Sequence, residues 1–371
     1  MDLSSFVAMT FGAVRAHLSA DLLETAEEAL RQRSLDEAWT LFSEAAELES
    51  KTDQLAARVL IGLGQIAFLR DDAKSTLEFL EQAIVLHPEA AEDPSLAETL
   101  GRAYARKGDV ASAVAVFRNA LERARSSGPE TDLLRFSLLL ANALIDDSQF
   151  VEATLVLADG LECESMLDAF ARAQIHWTQL RLHAMKEEPQ AAVRHARRAL
   201  HLLKGTEHDV YLAHAMRAAA FAEIDAGNPA RALELIARSR SLLGDGLTSH
   251  DEAKFAMEEA RALAMLGRRE EAAGRVMSTH DGFAASHTWD IGRSYVHLAA
   301  IFADGGNDER ALEVYELAIE TLGQTSNRYL VDALCGHGTV LERTGRTREA
   351  LAAFRRAAEV RHDLDRRAAR V

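Results

Sequence analysis

The sequence predicts an all-α, right-handed superhelical solenoid of about nine helix pairs, on three observations. The first is a period. Eight alanines and one threonine, at Ala38, Thr76, Ala113, Ala153, Ala192, Ala232, Ala272, Ala311 and Ala350, recur at intervals of 37 to 40 residues. A fixed period of that size is the signature of stacked repeats. The second is the content of each interval, which reads as two amphipathic helical segments around a turn signal. The third is composition. With 48% hydrophobic and 27% charged residues over 371 positions, the chain can bury a sizeable core. The repeat makes that core one continuous seam rather than the two or three globules that length alone suggests.

Each repeat can be read in order. The first carries Ala26, Ala38, Phe42 and Ala45; the second runs from Leu63, Gly64 and Ala67 to Leu80 and Ala83, ends in Pro88, and puts Thr76 where the others have alanine. The third shows the pattern most fully. Leu100, Gly101 and Tyr104 mark one face of a first helix, Gly108 ends it, and Ala113, Phe117 and Ala120 fall at i, i+4 and i+7 of a second. Glycine accepts the left-handed conformation common at a helix C-terminus. Small residues lie where two backbones approach, and the aromatic fills the space between pairs. The fourth (Ala141, Leu144, Ala153, Leu157, Gly160) and fifth (Leu180, Ala192, Ala196, Ala199) repeats are looser. The sixth has Ala219, Ala220, Gly227, Ala232 and Ile236, and the seventh Glu259, Ala260, Leu263, Gly267 and Ala272. The eighth gives Leu298, Ala299, Phe302, Gly306, Ala311, Tyr315 and Ala318; the ninth gives His337, Gly338, Leu341, Gly345, Ala350, Phe354 and Ala357.

These positions resemble the tetratricopeptide repeat family over residues 19–364, most closely in repeats two, three, eight and nine. Family repeats usually span about 34 residues; the longer period here implies longer helices. This long variant resembles the sensor region of bacterial transcription regulators, in which a helix-turn-helix module precedes the array. About 18 residues precede the first repeat in this sequence, so the expectation is that the DNA-binding module is absent from the chain. Residues 1–18 (Phe6, Val7, Phe11, Val14) are expected to form a short helix or linker, and 365–371 a C-terminal tail. The arginines at 355, 356, 361, 366, 367 and 370 suit the polar outer face a terminal repeat needs.

Charge and motifs narrow the function. A net charge of −16 opposes binding to phosphate backbones, so no direct nucleic-acid contact is expected. Cys163 and Cys335 stand far apart in sequence and form no metal or disulfide framework, which suits a reducing cytoplasm. The N-terminus lacks a positive start, with Arg15 interrupting its apolar stretch, and no run approaches a membrane span. Gly62, Gly64 and Ala67 imitate a dinucleotide fingerprint but lie inside a helix, where Gly64 is the repeat's small residue, so no cofactor is expected. His176, His183, His195 and His201 cluster without paired cysteines or an HExxH motif, and no metal is expected. No nucleophile elbow, Walker loop or kinase set appears, so the chain is read as non-enzymatic.

In the resembled family, the first helix of each repeat lines a concave groove through its second, fifth, sixth, ninth and thirteenth positions. Here those positions collect cations, an amide and aromatics: Arg102, Arg135, Asn142, Trp177, Arg181, Arg217, Phe221, Lys254, Arg261 and Arg293. Arginine forks bind carboxylates bidentately, asparagine pairs with peptide amides, and large aromatics anchor interfaces. The expected partner is a protein or an acidic, extended peptide segment. Glu98, Asp225 and Glu258 also face the groove, so the opposite reading is that the cations pair with neighbouring repeats. The clamp variety of the family, which holds C-terminal carboxylates, is matched only at Asn142. The functional expectation is a peptide- or protein-binding scaffold or regulator; the alternative is the signal-sensing part of a transcription regulator. Stacking of solenoid ends would give self-association.

Overall fold

The computed structural model describes residues 21–47, 53–70, 72–127, 129–162, 167–244, 247, 249–277, 289–323 and 328–368. Residues 1–18 and Cys163 lie outside them. Among the described residues every regular element is helical: eighteen α-helices in nine successive pairs, and one 3-10 turn at Pro88–Glu92. The chain resolves into two compact halves, Met1–Leu139 and Leu140–Val371.

The first half contains α1 (21–31), α2 (Leu35–Glu47), α3 (Asp53–Leu69), α4 (Ala73–Leu86), α5 (Pro94–Lys107), α6 (Val110–Ser127) and the start of α7 (Glu130–Asp146). The second holds the rest of α7, α8 (Phe150–Glu162), α9 (Ala169–Met185), α10 (Pro189–Leu203), α11 (Asp209–Asp225) and α12 (Pro229–Leu243). It continues through α13 (Ser249–Met265), α14 (Arg269–Met277), α15 (Trp289–Asp304), α16 (Asp308–Leu322), α17 (Arg328–Arg343) and α18 (Thr347–Ala368). Residues 365–368, expected as tail, continue α18. Odd-numbered helices are the first of each pair. In the second half, α9, α11, α13, α15 and α17 pack successively on one another and build a shared face.

The period is a packing period. Eight of the nine marker residues are fully buried and Ala350 is 3% exposed, because each lies where a second helix presses on its neighbours. Thr76 is tolerated there because its hydroxyl donates to the Asp72 carbonyl at 2.7 Å, so no polar group is orphaned. Aromatics on the second helices fill the gaps by lying on glycines. A Cβ at Gly101 would stand 2.4 Å from the Phe117 ring, and one at Gly62 would stand 2.2 Å from Phe42 of the preceding repeat. Burying such a ring contributes about 1.5–3 kcal/mol, and only glycine allows the approach. Leucines, isoleucines and a phenylalanine complete the core, with Leu77, Leu80, Leu96 and Leu100 in the first half and Ile224, Leu235, Ile236 and Phe255 in the second.

The turns inside the pairs share one geometry. Gly108, Gly227, Gly267, Gly306 and Gly345 take φ between 77° and 85°. The residue after each closes the helix end, as when the Asp109 amide donates to Tyr104 O at 2.9 Å. That is the six-to-one bond of a Schellman end. Repeats one, four and five make the same turn without glycine: Arg33, Ser148 and Glu187 sit at φ 60°, 61° and 58°. Their closing bonds, including Gln149 N to Leu144 O at 2.8 Å and Glu188 N to His183 O at 2.9 Å, are equivalent. The looseness of repeats four and five in sequence is therefore a substitution at the turn, not a different architecture.

Arg355, Arg356, Arg361 and Arg366 are exposed on α18. No described helix is long and apolar enough to cross a membrane.

Candidate binding site

The first-helix face of the second half gathers most of the groove residues. On α9, Trp177, Leu180, Arg181 and Ala184 follow at helical spacing; on the adjacent α11, Arg217, Ala218 and Phe221 do the same. Together they enclose a hollow of about 60 Å³. Its floor is apolar, through Leu180, Ala184, Ala218 and the Phe221 ring, and Trp177, Arg181 and Arg217 form half-buried walls. Four of the residues singled out from sequence thus meet at one place. The hollow matches one apolar side chain, with Arg181 and Arg217 in its lining.

Asn142 joins this site through Arg181. The Arg181 guanidinium bonds the Asn142 side-chain oxygen and, at 2.7 Å, the Asp146 carboxylate. The Asn142 amide donates to the Thr178 hydroxyl at 3.4 Å. Arg181 therefore spans α7 and α9 while one edge lines the hollow.

Beneath Phe221 lies a buried charge cluster. Asp225, one turn further along α11, accepts from Arg261 on α13 at 2.6 Å and from Arg293 on α15. Arg261 also bonds Glu258 at 3.0 Å, and the Ser294 hydroxyl donates to Glu258 at 2.9 Å. The Arg293 guanidinium rests on the Phe221 ring at 4.3 Å and on Tyr329 at 5.1 Å, with Arg261 5.1 Å from Phe221. Arg261 and Arg293 are 2% and 3% exposed. Burial pushes the Asp225 carboxyl up, but Arg293 and Arg261 outweigh it and hold the group below its ordinary range. Burial dominates at Glu258, whose pKa is raised against the pull of Arg261. Two cations and two anions balance, which is how a buried cluster of this kind is tolerated.

The reading that the cations pair with neighbouring carboxylates holds at Arg181, Arg261, Arg293, Arg102 and Arg135. Arg261 and Arg293 are occupied inside the fold, and Phe221 presents to the hollow from a 6% exposed position. Arg181, paired with Asp146 and Asn142, and Arg217 are half-buried in the wall of the hollow. Lys254 is half-buried on α13, and nearby His214 lies 4.0 Å from Asp251, with its pKa lowered by burial against that carboxylate's opposing effect. Arg102 and Arg135 belong to the first half. Glu98 accepts Arg102 at 2.7 Å and Arg135 at 3.3 Å, and Arg135 also pairs with Asp132. Asp146 was not among the candidate residues. It stands 35 residues before Arg181, nearly the interval of 36 from Asp225 to Arg261, and that recurrence is the signal that marks it.

Helix pairs of this pattern define a tetratricopeptide-type solenoid. The tetratricopeptide repeat family model matches residues 97–129. The fold is similar to that of a Rap protein complexed with competence and sporulation factor, at 14% identity and a TM-score of 0.62, covering 94% of this chain and 99% of that one. It is also similar to the apo quorum sensor NprR from B. thuringiensis, at 16% identity and a TM-score of 0.61, covering 86% and 94%. NprR in complex with its cognate peptide NprX gives 16% identity and a TM-score of 0.60, covering 82% and 88%. These likenesses show a shared fold. A search of curated protein sequences gave no match.

Proposed function

We propose that this chain is a non-enzymatic regulator or scaffold that binds an extended peptide, or a segment of a partner protein, on its first-helix face. The Trp177–Phe221 hollow takes one apolar side chain. Arg181 and Arg217 hold a carboxylate beside it, and Asn142 lies one helix away to pair with the backbone. The observation that carries this reading is the hollow itself, where aromatic and cationic residues from two successive repeats converge. Rap and NprR, which share the fold, are described in complex with competence and sporulation factor and with the cognate peptide NprX respectively, and the NprR complex supports a peptide ligand here. Arg102 and Arg135 provide further cations on the first half for an acidic partner.

Ligand seating would act on the array through the residues under the hollow. Phe221 touches both the hollow and Arg293, and Asp225 links α11 to α13 and α15. An anchor side chain that shifts Phe221 therefore presses on three successive first helices. Each repeat touches mainly its neighbours, so small rotations accumulate along a solenoid. A signal-sensing role within a larger regulator uses the same site, and the likeness to the quorum sensor NprR favours it as the second reading.

The test is selection from a displayed random peptide library, run in parallel on wild type, Trp177→Ala and Arg217→Glu. The expected result is enrichment of peptides with a carboxylate next to a large apolar residue on wild type, lost on both variants. Enrichment of one motif on all three proteins would remove this site from the account.

A further inference from the structure

Away from the hollow, the second half holds an opening of about 640 Å³ between α10, α11, α12 and the end of α13. Ala196, Leu200, Leu235 and Leu266 give it apolar walls, and its charged lining is Glu223 and Arg197 near the α11–α12 turn together with Arg231, whose guanidinium is paired with Glu234. The volume is in the range of sites for small organic ligands.

Glu223 is out of place for the repeat. The equivalent position, eleventh in each first helix, holds Ala29, Ala67, Tyr104, Leu144, Leu263, Phe302 and Leu341 in seven other repeats, and His183 in the fifth. The position is buried in six of those eight repeats, all but those with Tyr104 and His183, and Glu223 is only 3% exposed there. A carboxylate at that depth needs close compensation. It receives two bonds: the neutral Asn228 amide at 2.9 Å, and one nitrogen of Arg197 at 3.1 Å. The two partners of that ion pair differ sharply in setting, with the Arg197 side chain 69% exposed and that of Glu223 4% exposed. Arg197 reaches from solvent over the opening and covers the acid with a single contact. An exposed arginine held by one bond is readily displaced, because its charge regains water when it swings out.

We propose that this opening is a second binding site, for an organic cation: a primary amine or guanidinium on a short apolar body. The ligand's charged group takes the place of Arg197 and donates to the Glu223 carboxylate, while its apolar body lies against Leu200, Leu235 and Leu266. Asn228 keeps the other carboxylate oxygen occupied, so Glu223 stays oriented during the exchange. The same chemistry is offered by a free small amine and by a lysine or arginine side chain of a peptide flanked by leucines.

The experiment is isothermal titration of the full chain with isoamylamine and agmatine, with the neutral analogue isoamyl alcohol, and with the capped tripeptide acetyl-Leu-Arg-Leu-amide. The variants are Glu223→Gln and Arg197→Ala, each checked by circular dichroism for an intact helical fold. Saturable binding of a cationic probe is expected, with none of the alcohol. Glu223→Gln should weaken binding at least about tenfold, and Arg197→Ala should preserve or tighten it several-fold, since it removes the competing cation. Binding by the amines identifies a small-molecule site, and binding by the tripeptide alone identifies a site for a basic peptide side chain; each supports the inference. It is overturned if no cationic probe saturates below about 10 mM, if Glu223→Gln binds as wild type does, or if Arg197→Ala abolishes binding.

Discussion

Replacing Asp225 by alanine tests whether the cluster under Phe221 holds the middle repeats together. Asp225 bridges Arg261 and Arg293, which are 2% and 3% exposed. Its loss leaves two buried guanidinium groups facing a single carboxylate, Glu258, whose pKa is already raised by burial. Breaking a buried pair by removing one partner costs about 3–5 kcal/mol. Little solvent screening reduces that figure here. Repeat arrays open locally, so one global melting temperature is a poor readout. Amide exchange of α11, α13 and α15 resolves the effect, and about 3–5 kcal/mol corresponds to a rise of roughly two to three and a half decades in their rates. The pH arm has a definite sign. Asp225 has a lowered pKa when folded, so its stabilisation is present above the unfolded carboxylate value and is lost as pH falls through the folded one. Glu258 has a raised pKa and runs the other way, contributing most below its unfolded value and losing that contribution as pH rises through the folded one. After correction for intrinsic exchange, Asp225→Asn should therefore lose less protection on acidification than wild type. A cost below about 1 kcal/mol for Asp225→Ala, or an unchanged acid response in Asp225→Asn, would refute the reasoning.

Other expectations concern packing, turns and binding. Gly101→Ala places a Cβ 2.4 Å from the Phe117 ring and should destabilise the third repeat by about 1–3 kcal/mol in urea unfolding, with Phe117→Leu partly restoring it. Glu187→Gly, at φ 58° in a turn that other repeats make with glycine, should stabilise the fifth repeat by about 1 kcal/mol, seen as slower amide exchange at the end of α9. Trp177→Ala should weaken selected peptides by about 2 kcal/mol or more while leaving the helical signal unchanged, because the side chain is only half-buried.

The fold was legible because its contacts are short-range and repeated. Each alanine at a helix crossing answers to the same steric demand, and nine copies of that demand make a period that one copy would not reveal. The turns were legible only where glycine marks them. Arg33, Ser148 and Glu187 adopt the left-handed turn without it, so repeats four and five looked irregular when they are not. At the site, Trp177, Arg181, Arg217 and Phe221 could be gathered because they follow the repeat register on adjacent first helices. What the register does not give is depth. Arg181 and Arg261 share the ninth position and each pairs with an aspartate about 36 residues earlier, yet one lines a hollow and the other is enclosed, because Arg261 also bonds Glu258 and shares Asp225 with Arg293. Glu223 escaped notice for a related reason: in a sequence with 58 acidic residues, one glutamate at a core position shows only when all nine repeats are aligned.

The most direct test of the central claim uses Trp177 as a reporter. The chain has three tryptophans, so a Trp39→Phe, Trp289→Phe background leaves Trp177 as the sole emitter. Titration with a peptide selected on wild type should shift its emission to the blue as the hollow fills, with the shift and the affinity both lost in Arg217→Glu. Full-affinity binding with no change in Trp177 emission would place the peptide elsewhere and contradict the account.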